Sequence, residues 1–164
     1  MKVKRLTELA LLTALALILF MIELQIPNPV PIPGIKLGLA NVVTVFAVYH
    51  YRAGEVFLLV AARILLGSFF SGNMMALLYS MAGGFLCLAG MLGLKHILTD
   101  SYIWICSVLG AVLHNIGQIT VAGLIAGWGV LFYLPMLLTA GCIAGAFTGV
   151  CAQLLVRRFS LRAV

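Results

Sequence analysis

Charge is what this chain has least of. Lys, Arg, Asp and Glu make up 9% of its 164 residues, against about 25% in a soluble domain. Only four residues are acidic, and Asp100 is the single aspartate. A soluble core of this size has no room to hide a chain that is 64% hydrophobic, so a soluble fold is excluded. There is no G-x-x-x-x-G-K-[S/T] loop, which excludes ATP hydrolysis by this chain alone. Neither a Ser-His-Asp set nor a carboxylate pair is present to support hydrolysis, so no catalytic residue is assigned. Cys87, Cys106, Cys142 and Cys151 lie in apolar runs without C-x-x-C spacing and read as small hydrophobes, not as a disulfide framework or zinc site. The net charge of +6 comes from short basic clusters at segment ends; no basic stripe interleaves with aromatics, and nucleic acid is not an expected partner.

What is present is a succession of apolar runs, each able to cross the roughly 30 Å hydrocarbon core of a bilayer. They predict an all-α, polytopic membrane protein, a single transmembrane domain over residues 1–164 with the lipid bilayer as its first partner. Six spans are predicted near 6–25, 35–51, 54–71, 74–94, 101–126 and 131–156. The breaks have physical causes. "IPNPVPIPG" (26–34) holds four prolines and a glycine, which remove amide donors and forbid a continuous helix. "HYRAGE", "SGN" and "KHILTDS" are polar, and "GWG" places glycines beside an interfacial tryptophan. The basic head and apolar middle of the first segment resemble a signal peptide, but no small-x-small cleavage site follows, which predicts a retained first helix.

With six spans both termini share a side. Lys2, Lys4, Arg5, Arg52, Lys95, Arg157, Arg158 and Arg162 fall there, eight of the ten basic residues, which makes that side cytoplasmic. The expected location is the bacterial cytoplasmic membrane. Lys36 and Arg63 are the exceptions. Arg63 falls near mid-membrane, where snorkelling is difficult; it should face the bundle interior and have a partner, either as a structural tie or as a ligand contact. Lys36 should lie in the first turn of the second span, where a cation opposes the helix dipole unless an anion binds there; a solvated headgroup lysine is the other reading. Glu23 and Gln25 close the first span, and Glu23 is expected to be wet at the interface unless it pairs with Lys36 or Arg63 or binds a cation.

In "GAVLHNIGQI" (110–119), His114, Asn115 and Gln118 share one helical arc of about 100°, together with Ala111 and Ala122. The stripe faces inward, as glue between helices or as the wall of a ligand site. His114 has no second His, Cys or carboxylate at helical spacing, so no metal is expected. Gly141, Gly145 and Gly149 form a ridgeless face on the last span, and Ala10 and Ala14 a smaller one on the first.

"PGIKLGLANVVTVFAVY", "ARILLGSFFSG", "HNIGQ" and a glycine-rich last span, in that order, resemble the Gx transporter family, also labelled heptaprenyl diphosphate synthase component I. That family is similar to the substrate-binding S-components of energy-coupling-factor transporters. The resemblance implies a six-helix bundle, a small-molecule site toward the outside, and a small-residue face on helix one, matched here by Ala10 and Ala14, for docking a separate energising module. Lys36 and Arg63 would neutralise a small anionic solute, Asn41, His114, Asn115 and Gln118 would orient it, and Glu23 would gate or pair. The label implies instead a membrane accessory in polyprenyl diphosphate or quinone synthesis. Prenyl diphosphate synthases carry two Asp-rich magnesium motifs, and one aspartate cannot build them. No cofactor is expected under either reading.

Overall fold

The computed structural model describes residues 3–26, 38–72, 74–98 and 100–160. They form α1 (Val3–Gln25), α2 (Leu39–His50), α3 (Ala53–Ser71), α4 (Met74–Lys95), α5 (Ile103–Ala126) and α6 (Leu134–Ser160). Short 3-10 turns precede α5 (Asp100–Tyr102) and α6 (Trp128–Tyr133). The described residues contain no strand, and the chain is an all-α polytopic membrane bundle. Large apolar side chains such as Phe69, Leu124, Phe132 and Ile143 point outward, as lipid contact requires.

α2 departs most from expectation. A span over 35–51 is predicted, but the helix begins only at Leu39, after Gly38 in the left-handed region (φ 72°). Its 12 residues rise about 18 Å, little more than half of the hydrocarbon thickness. Its neighbours show where it starts: Gly38 lies beside Thr148, in the middle of α6, while Phe46 packs edge-on against Phe159 near the end of α6. α2 is therefore a half-helix whose amino terminus opens inside the bundle.

A helix end buried in an apolar medium needs its free amides or carbonyls satisfied. Two charged side chains from other helices do this, each with the sign the helix dipole favours. Glu23 of α1 accepts from the amides of Gly38 (2.6 Å) and Leu39 (3.1 Å). At the other end Lys95 of α4 donates to the Val48 carbonyl (2.7 Å). Glu23 is thus not wet at an interface: it is 8% exposed, withdrawn by the two amides it caps.

α1 is fastened at its other end too. Arg5 Nη2 donates to Glu55 Oε2 at 3.0 Å, with Nε 2.9 Å from Oε1, and the Arg5 guanidinium stands 5.1 Å over the Tyr51 ring. The Tyr51 hydroxyl donates to Glu8 (3.3 Å), and Glu55 also accepts from the Arg52 amide at the start of α3.

The tightest seams follow glycine. A methyl group on Gly117 of α5 would meet the Ala82 carbonyl oxygen of α4 at 2.7 Å, and one on Gly149 of α6 would stand 2.6 Å from Trp104 Cα. Gly141, Gly145 and Gly149 all pack on α5, so the small-residue face of the last helix is an internal one. Apolar packing is densest at the end where α1 starts and α6 finishes, around Val48, Val56, Leu59, Met91 and Ile103. The far half is packed differently.

Candidate functional site

That far half encloses a cavity of about 110 Å³ to which all six helices contribute. Its lining comes from the last turns of α1, the start of α2, the second half of α3, the first turns of α4, the middle of α5 and the first half of α6. Six of the side chains singled out from the sequence meet there: Glu23, Asn41, Arg63, His114, Asn115 and Gln118. Lys36 lies outside the described residues.

The one cation among the lining residues is Arg63, nearly three turns into α3. A guanidinium offers five donors. Among the described residues Arg63 has a single side-chain hydrogen bond, a long one of 3.5 Å from Nη1 to Asn41 Oδ1, and no ion pair. The partner expected for a mid-membrane arginine is therefore only an amide. No carboxylate is ion-paired to it among the described residues. Glu8 and Glu55 serve α1 at the opposite end, Glu23 caps α2, and Asp100 opens the 3-10 turn before α5. The segments outside the described residues contain no Asp or Glu.

The α5 stripe divides its labour. Asn115 is buried and donates through Nδ2 to the Leu137 carbonyl at 2.6 Å, a helix-linking bond made possible because Gly141 leaves room for the amide. His114 and Gln118 lie against Gly83 of α4, where a methyl group would come within 3.1 Å of the imidazole and 2.9 Å of Gln118 Cγ. Gln118 Oε1 is buried without a hydrogen-bond partner among the described residues. Within this stripe, Asn115 supplies glue, while Gln118 has polar capacity to spare. Ala111 lines the cavity as its position on the arc predicts; Ala122 is not among the lining residues.

Hydroxyls that the sequence reading passed over complete the wall. Ser68, Ser71, Ser80 and Thr148 all line the cavity. Ser71 Oγ donates to the Ser68 carbonyl (3.1 Å), and Thr148 pairs with Ser107 (3.1 Å). A signal for some of them exists: Arg63, Gly67 and Ser71 recur every fourth residue and so share a face of α3. Phe20 of α1 packs on Gly67 where a side chain would block it, a methyl there standing 3.2 Å from the ring. Ala10 and Ala14, by contrast, are exposed on the outer face of α1 and pack against nothing in the interior.

A polar chamber inside an apolar bundle, with one cation, one carboxylate and a ring of neutral hydrogen-bonding groups, is suited to hold a small solute by charge and hydrogen bonds. Neither a curated protein nor a solved structure matches this chain. A family model does, that of heptaprenyl diphosphate synthase component I, over residues 12–155. The match runs through all six helices and every described residue of the cavity wall, and the chain belongs to that family.

Proposed function

We propose that this protein is a non-catalytic membrane component that captures a small anionic solute in the cavity between its helices. The observation that carries the reading is Arg63, a cation facing the cavity that has, among the described residues, one long hydrogen bond to an amide and no ion pair. A charge in a low-dielectric interior is retained where something pairs with it, and a solute anion is the partner this site lacks.

The positive-inside distribution supports both termini in the cytoplasm of a bacterial cell, and with that orientation the cavity lies in the outward half of the bundle. Capture is from outside. Uphill movement needs a separate energising module, because the chain has no nucleotide loop, and the exposed Ala10–Ala14 face of α1 is where that module would dock. Replacing both alanines with Leu is expected to leave folding and solute binding intact and to abolish co-purification with the module.

The family's name favours a second reading, a membrane accessory subunit in heptaprenyl diphosphate synthesis. The two readings separate in one experiment. Protein purified gently from its native membrane is examined by native mass spectrometry, beside the Arg63→Ala variant. A small bound mass lost in Arg63→Ala supports solute capture, with a loss of at least tenfold in affinity for a charged hydrogen-bonded group. Co-purification of a prenyl diphosphate synthase, with its product length altered when this subunit is removed and no small mass bound, supports the accessory role.

A further inference from the structure

We infer that the solute held at Arg63 also carries a hydrogen-bond-donating group, an ammonium or hydroxyl, and so belongs to the small amino acids or hydroxy acids. This rests on the anion-binding reading and narrows it. Arg63 and Glu23 line the same cavity, yet no ion pair joins them. Together they make the charged wall formally neutral. A bare anion set against Arg63 leaves the Glu23 charge as an excess in a low-dielectric chamber, and a dianion doubles the imbalance. An ammonium at the ligand's other end offsets the Glu23 charge, and a hydroxyl there supplies the hydrogen bond without the charge.

The neutral groups ask for the same thing. Each Glu23 oxygen accepts one bond from α2, and a carboxylate oxygen has a second lone pair to offer. Gln118 Oε1 is a buried acceptor that receives nothing from the described residues. The terminal torsion of a glutamine is broad, so this oxygen turns toward a donor at small cost. Ser71 spends its proton on the Ser68 carbonyl, which leaves its own oxygen as an acceptor. Against Arg63 as the anion's seat stand Glu23, Gln118 and Ser71 as acceptors. A diphosphate with an apolar tail supplies none of the missing protons, and a cavity of about 110 Å³ does not hold a polyprenyl chain.

The test uses the full-length protein in detergent and matched ligand pairs of two to six carbons: 2-amino and 2-hydroxy acids, each beside the unsubstituted acid, with inorganic diphosphate as a further probe. Affinity is read by calorimetry and by ligand-induced thermal stabilisation. At least one amino or hydroxy acid is expected to bind ten or more times tighter than its unsubstituted partner, because a site built around acceptors rejects the analogue that lacks the donor. Gln118→Met should shrink that ratio, while Arg63→Met should weaken both members of the pair and leave the ratio between them unchanged. The wild-type comparison decides the matter even if a variant fails to fold. Unsubstituted acids or diphosphate binding as tightly as the donor-bearing members would overturn this inference and leave anion capture standing. No binding by any member of the panel would overturn both.

Discussion

Removing the Glu23 carboxylate is expected to unseat α2. In Glu23→Ala the amides of Gly38 and Leu39 lose their acceptor at the buried start of a half-helix. A hydrogen bond to a charged group contributes about 1.5–3 kcal/mol in soluble proteins. Side-chain bonds between membrane helices average about 0.6 and reach about 1.7 kcal/mol. Two bonds between the average and the upper membrane figure, with about 0.3–1 kcal/mol for the lost charge–dipole attraction, give a destabilisation of about 1.5–4.5 kcal/mol. Glu23→Gln keeps one acceptor oxygen and loses the charge, so about half of that loss is expected. The assay is reversible unfolding in mixed micelles followed by helical circular dichroism, with amide hydrogen exchange at Gly38 and Leu39 as the local reporter. Both amides should be protected in the wild type and exchange rapidly in Glu23→Ala. A Glu23→Ala protein within about 0.5 kcal/mol of wild type, the range of an ordinary surface substitution, would refute the claim that this acid holds the half-helix.

The glycine seams give a paired prediction. Gly117→Ala should cost about 1–3 kcal/mol, because the new methyl meets Ala82 and Gly83 backbone atoms that cannot step aside, whereas Gly54→Ala, with nothing within 4 Å, should be neutral or gain up to about 1 kcal/mol in the same unfolding assay. For topology, a cysteine in place of Asn28 should be labelled by an impermeant reagent from outside intact cells and one in place of Lys95 should not; outside labelling at Lys95 would reverse the orientation.

Much of this was legible in the sequence because membrane interiors make polarity conspicuous. Glu23, Asn41, Arg63, His114, Asn115 and Gln118 are rare residue types in apolar helices, and the cavity wall includes all of them. Helix spacing alone put His114 and Gln118 on one face. The serines were harder to see, since a small hydroxyl satisfied by a nearby carbonyl looks like packing, as Ser71 does with Ser68. The half-helix was harder still. Prolines between residues 26 and 34 show where a helix cannot run, but not how deep in the bundle the next one begins. That depth is fixed by contacts with α6 far along the chain, at Thr148 and Phe159, which no local pattern encodes.

The same break explains why so few acids suffice and why one cation is left over. A broken span presents a polar helix end to an apolar interior, and that end needs an opposite charge brought from another helix. Glu23 meets that need at the start of α2, Lys95 donates to its last turn, and Glu55 and Glu8 hold the first turns of α1 against α3 and Tyr51. Three of the chain's four acidic residues are thereby committed to α1 and its neighbours, and the fourth, Asp100, stands before α5 at the opposite end from the cavity. A purely structural Arg63 would be a buried cation with no ion pair among the described residues, and a leucine there would pack at lower cost. An arginine facing a polar chamber, with an amide as its one hydrogen-bond partner among the described residues, makes physical sense when a ligand's negative charge comes to pair with it.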